Sequence, residues 1–216
     1  MSVSTTKSGR VGRPPNPERQ ERRRIELLEV ATTLFSEQGF ASADVQEIAD
    51  RAGVGKGTVY RYFPSKEELF LSAVDLGMRR LRQSVDSSVS EITDPLKRIA
   101  EGIRAYLTFF DEHPEVVELL IHERAHFRDR QKPTYFVHRD ANIKRWQVLF
   151  QSLMEAGVIR QLPIERVTNL VSDLVYGTMF TNYFAGRQES LRSQSENILD
   201  IVFRGLLLDP STSLID

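Results

Sequence analysis

The chain has 216 residues, 40% of them hydrophobic and 27% charged, with a formal net charge of −1. This composition is ordinary for a soluble globular protein, and the absence of cysteine excludes disulfides, thiolate metal sites and thiol redox chemistry. The polar N-terminus lacks the apolar core of a signal peptide, and no apolar run approaches the roughly 18 residues of a membrane span. The sequence therefore favours a cytoplasmic protein with no membrane partner.

Positive charge is concentrated at the N-terminus. The first 24 residues contain seven lysines or arginines and two glutamates, a net +5 that leaves −6 for the rest. Such an asymmetry is typical of a protein that presents one end to a polyanion, although a solubilising tail would look similar. Residues 1–17, rich in Ser, Thr, Gly and Pro, are predicted to form a flexible basic arm. Its Arg10 and Arg13 are candidates for insertion into an A·T-rich minor groove or for looser attraction to phosphates.

Two short helices joined by a tight turn are predicted between residues 43 and 66. A longer helix over residues 18–38, ended by Gly39, precedes them and buries a stripe that includes Leu28 and Phe35. Ser42 is the expected N-cap of the first short helix. Gly53 then ends that helix, and the chain restarts at Lys56 with Val59 and Phe63, four residues apart, facing inward.

This pattern indicates a helix-turn-helix whose second helix suits the DNA major groove, which is about 12 Å wide. Lys56 can meet guanine or phosphate, the Thr58 methyl can touch thymine, and the hydroxyls of Tyr60 and Tyr62 can reach phosphates. The alternative is a helical hairpin with no role in nucleic-acid binding. Tyrosines two residues apart cannot both enter the core from one helix face, which counts against that alternative.

A capping box, Ser65 with Glu68, predicts the start of the next helix, which should run from Glu67 to about Ser88. Lys66 stands in its first turn, where a cation is unfavourable unless an anion lies nearby. A DNA phosphate would be such an anion.

The run GVGKGTVYRYFPSKEEL, residues 53–69, closely resembles the DNA-binding domain of TetR-family transcriptional regulators. The similarity extends back to Arg22 and forward to about Arg80, roughly the first third of the chain. The resemblance implies a three-helix DNA-binding domain over residues 18–66, with the motif at about 45–64. It also implies a larger helical ligand-binding and dimerisation domain over residues 67–216.

Matching positions in the family imply that Gln46 and Lys56 contact base edges, that Gly57 allows close backbone approach, and that the other polar residues hold phosphates. Tyr62 replaces the histidine that is common at its position, but another hydrogen-bonding ring should still reach a phosphate. The expected DNA contacts are Ser42, Gln46, Lys56, Gly57, Thr58, Tyr60, Tyr62 and Lys66, together with Arg10 and Arg13 of the arm.

Periodicity predicts an all-α body. The expected helices begin at Pro95, Glu115, Thr134, Pro163 and Asn197, and the last of them ends at Leu208. The last two helices carry more apolar surface than one packing face needs, and Gly177 and Gly205 would allow close approach. A homodimer through a four-helix bundle, as the family uses, is therefore favoured over an ordinary core.

Aromatic residues cluster in this body, and the family resemblance implies that it encloses a pocket for a small-molecule effector. The expected lining is Phe110, Trp146, Phe150, Tyr176 and Phe180, with His122 and His126 at the mouth. Each aromatic residue taken singly is equally consistent with plain core. No cofactor and no metal are expected.

His122 to His126 also match the H-E-x-x-H pattern of zinc hydrolases. Three fixed letters form a weak pattern, and Arg124 would put a cation beside the metal. The favoured hypothesis is therefore not an enzyme but a ligand-responsive repressor. It would leave a palindromic DNA operator when an effector binds and tilts the helix that starts at Glu67. The alternatives are an architectural DNA-binding protein without an inducer and a zinc-dependent hydrolase at His122 and His126.

Overall fold

The computed structural model describes residues 16–186 and 189–206. Within these residues the chain forms nine α-helices and no strand, which confirms the all-α prediction. The helices are α1 (Pro17–Ser42), α2 (Val45–Arg51), α3 (Lys56–Tyr62), α4 (Lys66–Ser88), α5 (Pro95–Glu112), α6 (Pro114–His126), α7 (Thr134–Glu155), α8 (Ile164–Ala185) and α9 (Leu191–Leu206).

Helix α1 has a sharp kink at Gly39, one turn before its C-terminal end. Asn16 caps its start by accepting a hydrogen bond from the Glu18 amide at 3.0 Å. Gly39 has φ 76° and ψ 166°, a conformation that favours glycine. Beyond the kink the chain makes one further turn, in which the Ala43 amide donates to the Gly39 carbonyl at 3.2 Å. Ser42 therefore belongs to the last turn of α1.

The N-cap of α2 is Asp44, so the prediction of Ser42 as this cap is wrong. The Asp44 carboxylate accepts a hydrogen bond from the Gln46 amide at 2.8 Å, while Ser42 is already committed to the preceding turn. The rest of the helix-turn-helix follows the prediction. Gly53 has φ 65°, and Val59 and Phe63 are 1% and 2% exposed.

Helix α4 is a single rod shared by the small N-terminal unit (α1–α3) and the body (α5–α9). Ser65 caps it by accepting from the Glu68 amide at 3.0 Å, as predicted. Near its start Phe70 packs edge-on against Phe35 of α1, with the ring centroids 5.1 Å apart. Toward its other end Leu81 and Val85 are buried in the body. The same helix therefore packs against both the N-terminal unit and the body.

A cluster of rings, which we call the aromatic junction, also joins the N-terminal unit to the body. It consists of Phe40, Phe70, His126 and Phe127. Phe40 lies 4.8 Å from Phe127 and 5.4 Å from His126, centroid to centroid, and Phe70 stacks on Phe127 at 5.5 Å. The end of α6 thus packs directly on the kink of α1.

The body is built around α5, which packs against α4, α7, α8 and α9. Its N-cap is Asp94, which accepts from the Lys97 amide at 2.8 Å, as predicted. Gly186, with φ 55°, ends α8, also as predicted.

Helix α9 begins at Leu191, six residues before the predicted Asn197. The first turns of α9 are polar and bury Gln194 and Ser195. Because apolar residues do not recur there at helical spacing, hydrophobic periodicity could not predict these turns. The predicted end at Leu208 lies outside the described residues.

Candidate nucleic-acid interface and ligand cavity

Helix α3 buries one edge and presents the other to solvent. Val59 anchors it in the core, whereas the Lys56 side chain is 41% exposed and Tyr60 is 40% exposed. Gly57 is exposed, and a Cβ added there would meet no atom within 4 Å. Thr58 and Tyr62 are half-buried. This arrangement leaves the start of α3 free to approach a ligand surface closely.

Two of the expected base-contacting side chains already hold partners within the protein. Lys56 Nζ lies 3.2 Å from Asp44 Oδ1, and Gln46 Nε2 donates to Asp50 at 2.8 Å. Hydrogen bonds from the Gln46 amide and from Lys56 lower the pKa of Asp44, so its carboxylate stays charged. Asp44 therefore competes with any phosphate or base edge for the Lys56 ammonium group.

Lys66 lies at the junction between α1 and α4. Its Nζ donates to the Ala41 carbonyl at 3.0 Å and stands 5.1 Å from the centre of the Phe40 ring. Burial lowers the pKa of Lys66. The Ala41 carbonyl, at the end of α1, therefore provides Lys66 with a partially negative partner inside the protein. From the sequence, a DNA phosphate was the expected partner. Ser42 is exposed beside Ala41, and Arg10 and Arg13 lie outside the described residues.

A cavity of about 160 Å³ lies in the body between α4, α5, α7 and α8. Most of its wall is apolar and comprises Met78, Leu81, Val85, Ile99, Gly102, Ile103, Ile143, Trp146, Phe150, Val171 and Val175. Trp146 fits because Gly102 leaves room for the indole: a Cβ there would be 2.4 Å from Cη2 of the ring. Trp146 and Phe150 are thus the two expected pocket residues that lie in this wall.

The other five expected pocket residues do not line this cavity. Phe110 is 2% exposed, in the core beside Tyr106 and Phe109. Tyr176 contacts the wall residue Tyr135 with tilted rings whose centroids are 4.3 Å apart, and Phe180 packs edge-on against Tyr176 at 4.8 Å. His122 and His126 stand at the contact with α1. The aromatic character of a residue therefore does not predict whether its side chain lines the cavity or packs elsewhere in the body.

Hydroxyl groups form one polar patch of the wall. Tyr106 donates to the Tyr135 hydroxyl at 3.0 Å, and Thr168 and Ser172 lie in the same wall. Burial raises the pKa of Tyr106 and raises that of Tyr135 to about 12. Both phenols therefore stay neutral and can orient a polar group of a ligand.

A second polar region, which we call the basic mouth, comprises Arg82, His138, Arg139 and Arg145. Each of the four faces a carboxylate. Arg82 lies 3.3 Å from Asp86, which also pairs with Arg145, and His138 lies 2.7 Å from Asp75. Arg139 pairs with Asp140 at 3.0 Å. These residues could not be predicted from the sequence, because a charged side chain on an amphipathic helix ordinarily faces solvent and pairs 59 or 63 residues apart leave no local pattern.

Glu123 of the H-E-x-x-H match holds a loop together. It is 2% exposed, and its Oε1 accepts from the Thr134 amide at 2.9 Å, from the Thr134 hydroxyl at 2.7 Å and from Arg130. His126 Nδ1 donates to the His122 carbonyl at 3.1 Å. Across residues 16–186 and 189–206, no three His, Cys, Asp or Glu side chains are grouped as metal ligands. The geometry thus offers no support for the hydrolase alternative.

An apolar stripe runs along the outside of α8 and α9. Leu170, Gly177 and Phe184 follow at seven-residue intervals on α8, and Leu170 and Phe184 are 61% and 68% exposed. Ile201 of α9 is 73% exposed. A Cβ added at Gly177 or Gly205 would have no neighbour within 4 Å. This stripe is open to a second surface.

None of the described helices combines the length and apolar character needed to cross a bilayer.

The model of the family "Bacterial regulatory proteins, tetR family" matches residues 27–73. The transcriptional activator FasR of Mycolicibacterium smegmatis is 33% identical over 101 residues, 47% of this chain and 46% of FasR. The chain thus spans about half the length of that relative.

Other likenesses cover most of the chain. The transcriptional repressor KstR2 of Mycobacterium tuberculosis is 27% identical over 190 residues, 85% of this chain and 92% of KstR2. Its solved structure, that of a ketosteroid transcriptional regulator, has a TM-score of 0.66 at 25% identity and covers 87% of this chain and 96% of its own. Bacillus subtilis FadR, solved with stearoyl-CoA, has a TM-score of 0.70 at 17% identity and covers 84% of this chain and 98% of its own, a likeness of fold alone. These likenesses support a TetR-family transcriptional regulator, with the family model matching the N-terminal residues 27–73.

Proposed function

We propose that this protein is a ligand-responsive transcriptional repressor that acts as a homodimer on a palindromic DNA operator. The observation that carries the proposal is the double role of α4. Its first turns are buried against α1, whereas Met78, Leu81 and Val85 form part of the cavity wall. A ligand in the cavity therefore touches the same helix that positions the helix-turn-helix.

The proposed DNA-binding surface is centred on α3. Gln46 and Lys56 reach base edges, the backbone at Gly57 approaches the DNA, and Thr58, Tyr60, Tyr62 and Lys66 hold phosphates. The exposure of Lys56, Gly57 and Tyr60 supports this assignment. Arg10 and Arg13 of the arm add contacts to the minor groove or to phosphates.

The proposed dimer forms through the stripe on α8 and α9, where exposed Leu170, Phe184 and Ile201 would lose solvent contact. Two-fold symmetry would place two copies of α3 in successive major grooves, about 34 Å apart.

The proposed effector is a small organic molecule with an apolar body, since most of the cavity wall is apolar. The names of KstR2 and of the FadR complex, which mention a ketosteroid and an acyl-CoA, are consistent with such a ligand.

The proposed switch is a shift of α4 that changes the separation of the two recognition helices. For a ligand to drive it, the two positions of α4 must bind that ligand with different affinities.

The test is footprinting of the purified protein on DNA flanking its own gene, followed by fluorescence anisotropy at fixed salt with operator and random duplexes. We expect a protected palindrome and a preference of about a thousandfold or more for the operator. Comparable affinity for both duplexes would contradict the proposal and favour an architectural DNA-binding protein. Lys66→Ala should weaken binding to both duplexes and lower the salt dependence, whereas an altered base preference would refute its phosphate role.

A further inference from the structure

Asp86 connects two cavity-lining arginines that belong to different helices. It lies on α4, where it pairs with Arg82 one turn away at 3.3 Å, and it also pairs with Arg145 of α7. Both arginines belong to the cavity wall. Asp86 itself is 38% exposed and is not part of that wall, and it pairs with two of the four residues of the basic mouth.

Arg145 retains donor capacity that Asp86 does not use. Its Nε atom is buried and has no hydrogen-bond partner among the described residues. A guanidinium carries five N–H donors in a planar fork that matches an oxyanion through two parallel hydrogen bonds. The guanidinium also lies 5.2 Å from the centre of the Trp146 ring, so this charge stands at the edge of the apolar wall.

We propose that the cavity takes an organic anion, with its apolar body against Ile103 and Trp146 and its oxyanion on Arg145 and Arg82 in place of Asp86. The chemistry required is an apolar chain or ring system that ends in a carboxylate or a phosphate. A neutral molecule of the same shape would fill the cavity but leave the ion pairs of Asp86 in place. This inference rests on the proposed function, because it names the ligand class of the same cavity.

The exchange identifies how the ligand distinguishes two positions of α4. Asp86 and Asp75 both tie α4 to α7, through Arg145 and His138 respectively. Asp75 lies eleven residues, about three helical turns, closer to the N-terminal unit. An oxyanion that takes Arg145 breaks only the tie at Asp86. Because the oxyanion also contacts Arg82 of α4, the ligand takes the place of Asp86 between α4 and α7, and the spacing of the two helices at the cavity end changes while the tie at His138 remains.

The single tryptophan provides an assay that needs no DNA. The chain has one Trp, and it lies in the cavity wall. Emission of Trp146 is titrated with octanoate, octyl phosphate and 1-octanol, which share a chain length and differ in the head group. We expect both anions to bind the native protein at least about tenfold more tightly than the alcohol. Whichever anion binds more tightly separates a carboxylate source from a phosphate source.

Two substitutions test the exchange. Asp86→Asn removes the competing carboxylate and should tighten anion binding several-fold without changing the affinity for 1-octanol. Arg145→Met should lower anion affinity several-fold toward that of the alcohol, because only Arg82 then remains to hold the oxyanion. Retained alcohol binding shows that each variant has kept its cavity. Asp75→Asn, the matched change at the other tie, should leave the preference for anions intact.

Equal binding of the alcohol and the anions by the native protein would overturn the inference, and so would unchanged or weaker anion binding by Asp86→Asn. An anisotropy measurement with operator DNA separates this inference from the proposed function. Anion binding without any effect on operator affinity would refute the repressor switch but leave the ligand class standing. Operator binding with no preference for anions would refute the ligand class alone.

Discussion

Replacing Gly102 with alanine tests the packing that forms the cavity. The new methyl would lie 2.4 Å from Cη2, 3.0 Å from Cζ3 and 3.3 Å from Cζ2 of Trp146, whereas carbon atoms prefer separations of about 3.5–4.0 Å. The indole must therefore move by roughly 1 Å. Forced overpacking of this kind costs about 1–3 kcal/mol, and the gain in helix propensity from glycine to alanine returns about 1 kcal/mol.

We thus expect Gly102→Ala to lower the free energy of unfolding by up to about 2 kcal/mol, measured by urea denaturation. The emission of Trp146 should shift, and the affinity for octanoate should change because the displaced ring lines the cavity. Gly57→Ala is the matched control, since its new methyl meets no atom within 4 Å. If Gly102→Ala instead raised the stability as the control does and left the emission unchanged, the packing argument would be refuted.

Three further predictions concern the DNA surface, the stripe and the buried phenols. Gly57→Ala should stabilise the protein by roughly 0.5–1 kcal/mol yet weaken operator binding about tenfold, and unchanged affinity would exclude close backbone approach. Phe184→Glu should yield monomers in light scattering, whereas Val148→Glu, equally exposed at 67% on α7, should not. Above pH 10 the free energy of unfolding should fall toward pH 12, because Tyr135, with its pKa raised to about 12, ionises first in the unfolded chain. Tyr135→Phe should make this loss of stability smaller, and an unchanged slope of the unfolding free energy against pH would contradict the assignment to Tyr135.

Local chemistry made most helix ends predictable. Asp94, Ser65 and Gly186 act through their own backbone or the next turn, so the neighbouring residues suffice to identify them. The N-cap of α2 was harder, because Ser42 and Asp44 are both good caps. The kink at Gly39 decides between them, since it draws Ser42 into the last turn of α1.

The cavity depended on information that a single sequence lacks. The position of Trp146 could be anticipated as apolar, but the space for its ring comes from Gly102, on a different helix. The basic mouth depends on how α4 and α7 face each other, which places Asp86 beside Arg145. Helical periodicity assigns a side chain to a face of its own helix and does not specify what that face meets.

The aromatic junction bears on the engineering of hybrid biosensors. Such hybrids graft the DNA-reading part of one regulator onto the sensing part of another, and residue 66 offers a convenient cut. That cut would separate Phe40 from Phe127 and expose both rings. It would also part Gly39 from His122, where a Cβ at the glycine would stand 2.8 Å from the imidazole ring. A graft that carries residues 122–127 together with the DNA-reading part keeps both contacts, so the module that preserves them is discontinuous in sequence.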